Sequence, residues 1–355
     1  MKALRIYAGE HALQHVQQNG LNQADIKMML AASGGPKWFA NAAMDKFLLG
    51  EWFKERTEPL HLLGTSAGAF RMACYAQNDP VAAIDRFLEA YLSQQYSLKP
   101  SPQEIGNALQ DMVQIILQEH GAAEIMANPV MKFNTLVARC KGLAAKPDKG
   151  LQSVGMLGAM LANVVSPASM SPFVERMLFH TSDELPIQYF PNLPVRKVPL
   201  TENNIASVVQ ATGAIPVVIN GIDTIPDAPQ GMYRDGGVTD YQFDLPCKPS
   251  NGLVLYPHYS ANPPKGAWFD KALKWRKAKK QNYSHTIILA PSNEFAYSLP
   301  GGKIPERQDF YDIPDYQTRR WHWEKSLGQL QQVGDELAEI AQKNSWAEVI
   351  EPLPW

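Results

Sequence analysis

At 355 residues, the chain has length for one large domain or two smaller ones. Hydrophobic residues make up 45% and charged residues 19%, and a net charge of −2 gives no global attraction for nucleic acid. The three cysteines, Cys74, Cys140 and Cys247, are odd in number, far apart and without zinc-ligand spacing, which argues against a disulfide framework and fits a reducing compartment.

The first residues, Met1 to Tyr7, lack the long apolar core of a signal peptide. No uninterrupted apolar run reaches the roughly 18 residues that span a bilayer. A soluble cytoplasmic protein is expected. A short strand is predicted over Ala3 to Ala8, then a helix around His11 to Gln18 that Asn19-Gly20 ends. His11 and His15 stand at i, i+4, the spacing of a metal pair; with no third ligand nearby, a solvated helix face is the expectation.

Asp25 to Ala32 reads as a buried strand that runs into Ser33-Gly34-Gly35-Pro36-Lys37-Trp38, and helix formers resume from Phe39 to Phe53. A glycine pair between strand and helix leaves N–H groups open at a helix N-terminus, where negative charge is favoured. That suits a phosphate or an oxyanion, although a plain turn fits the loop equally well. The spacing does not fit a nucleoside-triphosphate loop. About 30 residues on, His61-Leu62-Leu63 leads into Gly64-Thr65-Ser66-Ala67-Gly68 and then the helix formers of Ala67 to Tyr75. A strand turning sharply into a helix around Gly-x-Ser-x-Gly is a nucleophile elbow. The plain alternative for Ser66 is an ordinary helix N-cap, but a cap needs no glycine on each side at this spacing, which favours the nucleophile.

From Pro80 to about His180 the chain reads as mainly helical, over Val81–Leu92, Gln103–Gln118 and Leu151–Val165. This stretch, 80–180, is expected to be a helical insertion within a single 1–355 domain. Val154 to Ala162 is apolar nearly all round, so burial is expected, with lining of an apolar ligand site as the alternative. Strands follow at Val195–Val198, Gly252–Tyr256 and His285–Ala290, with a helix from Asn204 that breaks at Gly213 and Pro216. Asp235-Gly236-Gly237 reads as a sharp exposed turn, with a hairpin as its plainest explanation. A last helix, about Trp321 to Gln342, is expected to dock on the sheet. Alternating strands and helices imply a parallel or mixed α/β sheet.

Taken together, the Gly34-Gly35 loop, the Ser66 elbow, Ala211-Thr212-Gly213-Ala214-Ile215-Pro216 and Asp235-Gly236-Gly237 resemble the patatin-like phospholipase family, in the same order, over about residues 25–245. The resemblance implies a three-layer α/β/α fold with a mainly parallel sheet and a catalytic Ser66–Asp235 dyad. It also implies an oxyanion hole at Gly34 and Gly35, with Ala67. Ser33 and Trp38 replace glycines of the family's oxyanion loop, Pro36 within it has no N–H, and Lys37 stands where the family has Arg or Lys. The implied reaction is hydrolysis of lipid carboxylic esters, of phospholipase A, lysophospholipase or esterase type, through an acyl-enzyme. No metal or cofactor and no nucleic-acid partner are expected.

The chemistry is coherent from the residues. A serine hydroxyl needs a base within hydrogen-bond reach, and an aspartate, weakly basic near its free pKa of about 3.9, must be desolvated and close to serve. Three alternatives stand beside the dyad: a Ser-His-Asp hydrolase drawing on His258 or His285, an acyltransferase, and a non-catalytic lipid-binding or scaffolding protein. Finally, Lys265 to Lys280 carries seven basic residues with Trp268, Phe269 and Trp275 among them. Leu273 and Trp275 would not share a helix face, so the segment reads as a solvated basic stretch, or as a peripheral contact with anionic lipid.

Overall fold

The computed structural model describes residues 2–182 and 184–355. Its strands are β1 (Leu4–Ala8), β2 (Ile26–Ala31), β3 (Leu60–Gly64), β4 (Met131–Cys140), β5 (Val174–His180), β6 (Val195–Pro199), β7 (Met232–Arg234), β8 (Leu253–Pro257), β9 (Thr286–Pro291) and β10 (Ile350–Pro352). They form one sheet in the order β10-β1-β9-β8-β2-β3-β4-β5-β6, with β7 paired to β4. The central block β9-β8-β2-β3-β4 is parallel throughout. β1 pairs antiparallel to β9, and β5 antiparallel to β4. Helices flank the sheet to give an α/β/α architecture with a mixed, mainly parallel sheet.

The composition of each strand matches its place. β8 and β9 are buried at every residue, as strands covered on both faces must be. The edges are guarded differently: β10 is only three residues long, and β6 exposes Arg196 and Lys197. Short or charged edges resist further strand pairing.

Eleven helices matter here: α1 (Glu10–Asn19), α2 (Phe39–Phe47), α3 (Ala67–Tyr75), α4 (Pro80–Leu92), α5 (Pro102–Leu117), α6 (Gly121–Ala127), α7 (Lys149–Val165), α8 (Ile205–Thr212), α9 (Asn293–Ser298), α10 (Asp309–Asp312) and α11 (Tyr316–Gln342). The stretch 80–180, expected to be a mainly helical insertion, also contains β4 and β5, which belong to the central sheet. β4 hides its polar residues by bonding them to its neighbour: Asn134 Nδ2 donates to Leu62 O (3.1 Å) and Thr135 Oγ1 to Gly64 O (3.0 Å). Nor does α11 lie chiefly on the sheet. It packs along α2, where a Cβ on Gly334 would stand 2.7 Å from Ala43 Cβ. The main hydrophobic core surrounds the parallel block, and a second cluster, with Ala138, Met156, Met170 and Val238, sits under α7.

One topological feature places the site. β3 ends at Gly64, opposite Thr135, but β4 runs on to Cys140. β5 occupies one side of that overrun, and β7 pairs antiparallel on it with Ala138 opposite Arg234. β7 therefore returns toward the carboxyl end of β3 and delivers Asp235 there.

Candidate active site

Ser66 joins β3 to α3 with φ 52° and ψ −130°, a left-handed backbone that costs a non-glycine residue on the order of 1–3 kcal/mol. The strain is held by close packing: a Cβ on Gly68 would lie 1.9 Å from Ala31 O, so α3 crosses β2 at a distance only glycine allows. The Ser66 amide donates to Thr212 Oγ1 (3.0 Å), and Thr212 donates on to Leu136 O (2.8 Å). Ser66 occupies the N-cap position of α3, yet its side chain makes no capping bond. Instead Oγ donates to Asp235 Oδ2 at 2.8 Å.

Asp235 is buried rather than exposed, and it opens a short 3-10 turn, Gly236–Val238, instead of a hairpin. Its Oδ1 accepts from the Gly237 amide (2.7 Å), and its own amide donates to Ala214 O (3.0 Å). Burial pushes its carboxyl up to about 6, against the opposing pull of the Ser66 and Gly237 hydrogen bonds and the charges of Arg307 and Lys271.

The glycine loop is pinned at Ser33. The Ser33 amide donates to Tyr241 O (2.9 Å), and its carbonyl accepts from Tyr259 Oη (2.9 Å), which itself accepts from Gln242 Nε2 (2.6 Å). Thr65 Oγ1 donates its proton to Asp240 O (2.9 Å), so in the 2.9 Å Ser33–Thr65 contact Ser33 must be the donor. Gly35 sits at φ 57°, the left-handed region that suits glycine. Among the described residues, the Gly34 and Gly35 amides have no protein acceptor. Both residues line the same cavity as Ser66 and Asp235. Ala67, next to Ser66 in the chain, is buried, and its side chain is not among the residues that line the cavity. Trp38 stacks on Phe87 with ring centroids 4.2 Å apart.

The cavity measures about 360 Å³. Leu109, Met112, Ile105, Ile215 and Phe70 supply apolar wall, and Lys37, Lys271 and Arg307 bring positive charge. Lys37 pairs with Glu306 (3.0 Å). The Lys271 ammonium lies 3.9 Å from the centre of the Tyr241 ring, and desolvation with the like charges of Lys37 and Arg307 lowers it to about 8.

A buried ion pair ties the two helices that carry the loop and the elbow. Arg71 of α3 donates from Nε (2.8 Å) and Nη2 (2.6 Å) to Asp45 of α2, which also accepts from Tyr75 Oη (2.9 Å). This bidentate clamp couples the helix after the glycine loop to the helix after Ser66.

The histidines stand elsewhere. His258 is buried, its Nδ1 engaged by the Ser260 backbone and its Nε2 without a partner among the described residues, and burial lowers it to about 4. His285 stacks on His11 with centroids 4.1 Å apart. Ser66 Oγ is hydrogen-bonded to neither. His15 faces Asp25 at 3.7 Å, and no group of three or more metal-ligating side chains converges among the described residues. Tyr259, Gln242 and Arg307 carry no sequence signal of their places here, whereas Thr65 lies within the Ser66 elbow, Thr212 within Ala211–Pro216 and Lys271 within the basic stretch Lys265–Lys280.

No family model matches the chain, and no curated protein matches it. Solved structures do. Human GIVD cytosolic phospholipase A2 aligns at 11% identity and TM-score 0.38, over 95% of this chain and 62% of that one. VipD from Legionella pneumophila aligns at 13% and 0.34, over 93% and 70%, and the type III effector protein ExoU at 12% and 0.23, over 87% and 53%. The chain thus spans about three fifths of the length of the human protein. Scores this low carry no residue-by-residue correspondence.

Proposed function

We propose that this chain is a serine acyl hydrolase that cleaves carboxylic esters of lipids through a Ser66–Asp235 dyad. The carrying observation is the 2.8 Å hydrogen bond from Ser66 Oγ to a buried Asp235 carboxylate. Asp235 takes the hydroxyl proton as Ser66 Oγ attacks the ester carbonyl. Its carboxyl, raised to about 6, is a better base than a free aspartate and is still ionised at neutral pH. The tetrahedral oxyanion is received by the open amides of Gly34 and Gly35, with the Ala67 amide at the N-terminus of α3 adjacent. One such donor is worth roughly 3 kcal/mol of barrier.

The ester C–O bond then breaks, and the proton on Asp235 passes to the leaving alkoxide. Water enters, gives its proton to Asp235, and attacks the acyl-enzyme. Collapse releases the carboxylic acid and restores the Ser66 hydroxyl. The apolar wall near Leu109 and Met112 is where an acyl chain would lie.

The test compares wild type with Ser66→Ala on a soluble p-nitrophenyl ester and on a phospholipid in detergent. Released acid from both substrates by wild type, and from neither by the folded variant, is expected. Equal turnover by the two proteins would overturn the reading.

A further inference from the structure

α7 is built inside out. Between Leu151 and Val165 it holds no charged side chain, so its sequence suggests a buried helix. The structure meets that expectation on one face only. Its polar amides face the protein beside Met156 and Ala159, and most of its large apolar side chains face outward. Gln152 Oε1 accepts from the Val217 amide (2.6 Å), Asn163 Nδ2 donates to Asp270 Oδ1 (2.8 Å), and both amides are buried. Gly155 approaches the turn at Ala144 so closely that a Cβ would stand 2.1 Å from its nitrogen. With that face fixed inward, Val154 (57% exposed), Leu157 (51%), Leu161 (58%) and Val165 (82%) line the outer face, and Leu151, Val164 and nearby Leu143 are exposed as well.

The surroundings of this face are basic. Arg276 closes the far end of α7, donating to Asn163 O (2.7 Å) and Val164 O (3.3 Å), which sets Trp275, 65% exposed, beside the stripe. Lys274 and Lys277 flank Trp275 and are exposed, and Lys146 and Lys149 are exposed at the opposite end. The nearby acids are accounted for: Asp148 caps α7 at the Leu151 amide, and Asp270 is buried against Arg276 (2.7 Å). A chain of net charge −2 has concentrated positive charge around its most apolar exposed helix.

We propose that α7 and Trp275 form a docking face for an anionic lipid surface. An in-plane helix with an apolar face, rimmed by lysines and an interfacial tryptophan, has the chemistry such a surface recognises. A carpet of apolar side chains ringed by cations complements acyl chains below anionic head groups. The face also adjoins the cavity. Val217, held by Gln152, lies at φ 68° between Pro216 and Val218, which line the cavity. The 3-10 turn Trp268–Ala272, tied to α7 through Asp270 and Asn163, contributes Trp268 and Lys271 to the cavity wall. Docking would bring the cavity mouth to the membrane.

The proposal is independent of the acyl chemistry, so the test uses Ser66→Ala protein, which leaves vesicles intact under the proposed mechanism. Co-sedimentation is measured with phosphatidylcholine vesicles, with and without phosphatidylglycerol. The parent is expected to bind the anionic vesicles and lose them at high salt. Adding Leu157→Glu and Leu161→Glu, both solvent-facing, should cut binding at least tenfold with an unchanged circular dichroism spectrum. Lys274→Glu with Lys277→Glu should remove the preference for phosphatidylglycerol. Binding should shift the tryptophan emission to the blue in the parent but less in Trp275→Phe. In the otherwise wild-type enzyme, Leu157→Glu with Leu161→Glu should spare hydrolysis of a soluble ester. Equal vesicle binding by parent and double-glutamate variant overturns the proposal. So does a dimer in light scattering that the glutamates dissolve, with no vesicle binding, since a second copy would then cover the face.

Discussion

α3 and α7 are both apolar helices, and the fold treats them in opposite ways. All nine residues of α3 are buried, including its one charge, Arg71. α7 has no charge after Lys149, yet it turns an entire apolar face outward. The difference lies in where the polar anchors point. Arg71 reaches across to Asp45 and ties α3 to α2. Gln152 and Asn163 hold the other side of α7 down and leave its leucines outside. Apolar content alone does not set burial; a few hydrogen-bonded polar groups decide which face a helix shows.

The largest effect that sharpens this contrast is on the buried side. Ser66→Ala should lower ester turnover by roughly four orders of magnitude or more. Asp235→Asn should come within about tenfold of it, whereas His258→Ala and His285→Ala should keep most activity. Loss of turnover in a folded histidine variant would move the mechanism to a triad.

Next is the clamp. Asp45→Ala leaves Arg71 charged, buried and unpaired, and should cost about 3–5 kcal/mol in urea unfolding. Asn163→Ala on the α7 anchor should cost nearer 1 kcal/mol. Equal costs would erase the distinction between the two helices.

A third effect concerns pH. Asp235 must be ionised to accept the proton, so kcat/KM on a soluble ester should rise with pH through about 6 and then level. The same shift weakens the fold. With its carboxyl raised from 3.8 to about 6, the native state binds more protons than the unfolded chain between those values, so this group's contribution to stability falls as pH rises across that window. Asp235→Asn should therefore unfold later than wild type at neutral pH, by on the order of 2–3 kcal/mol. The gain should vanish near pH 4. The smallest effect is Tyr259→Phe, which frees the Ser33 carbonyl and should lower kcat up to about tenfold with little change in KM.

Much of the site was legible because its parts are local. The turn at Ser66, the glycine pair and the Asp-Gly-Gly turn each follow from a few adjacent residues, as do the apolar runs of β2, β3, β8 and β9. What was not legible depends on distant partners. Tyr259 holds Ser33 from 226 positions away. β4 carries Asn134 and Thr135 into the sheet because β3 accepts their hydrogen bonds, and without that partner the segment does not read as a buried strand. Asp235 looked exposed because Asp-Gly-Gly usually turns at a surface, and only the β4 overrun brings β7 inward. The burial expected for α7 holds on its inner face only, since nothing in its own residues says that Gln152 and Asn163 find bonds there.

The most direct test of the central claim is covalent. Wild-type protein is incubated with an alkyl fluorophosphonate, and the intact mass and the modified peptide are measured. The dyad predicts one adduct per chain, on the peptide containing Ser66, forming faster as pH rises through about 6 and absent in Ser66→Ala. An unmodified wild-type chain, or an adduct on another residue that persists in Ser66→Ala, would contradict it.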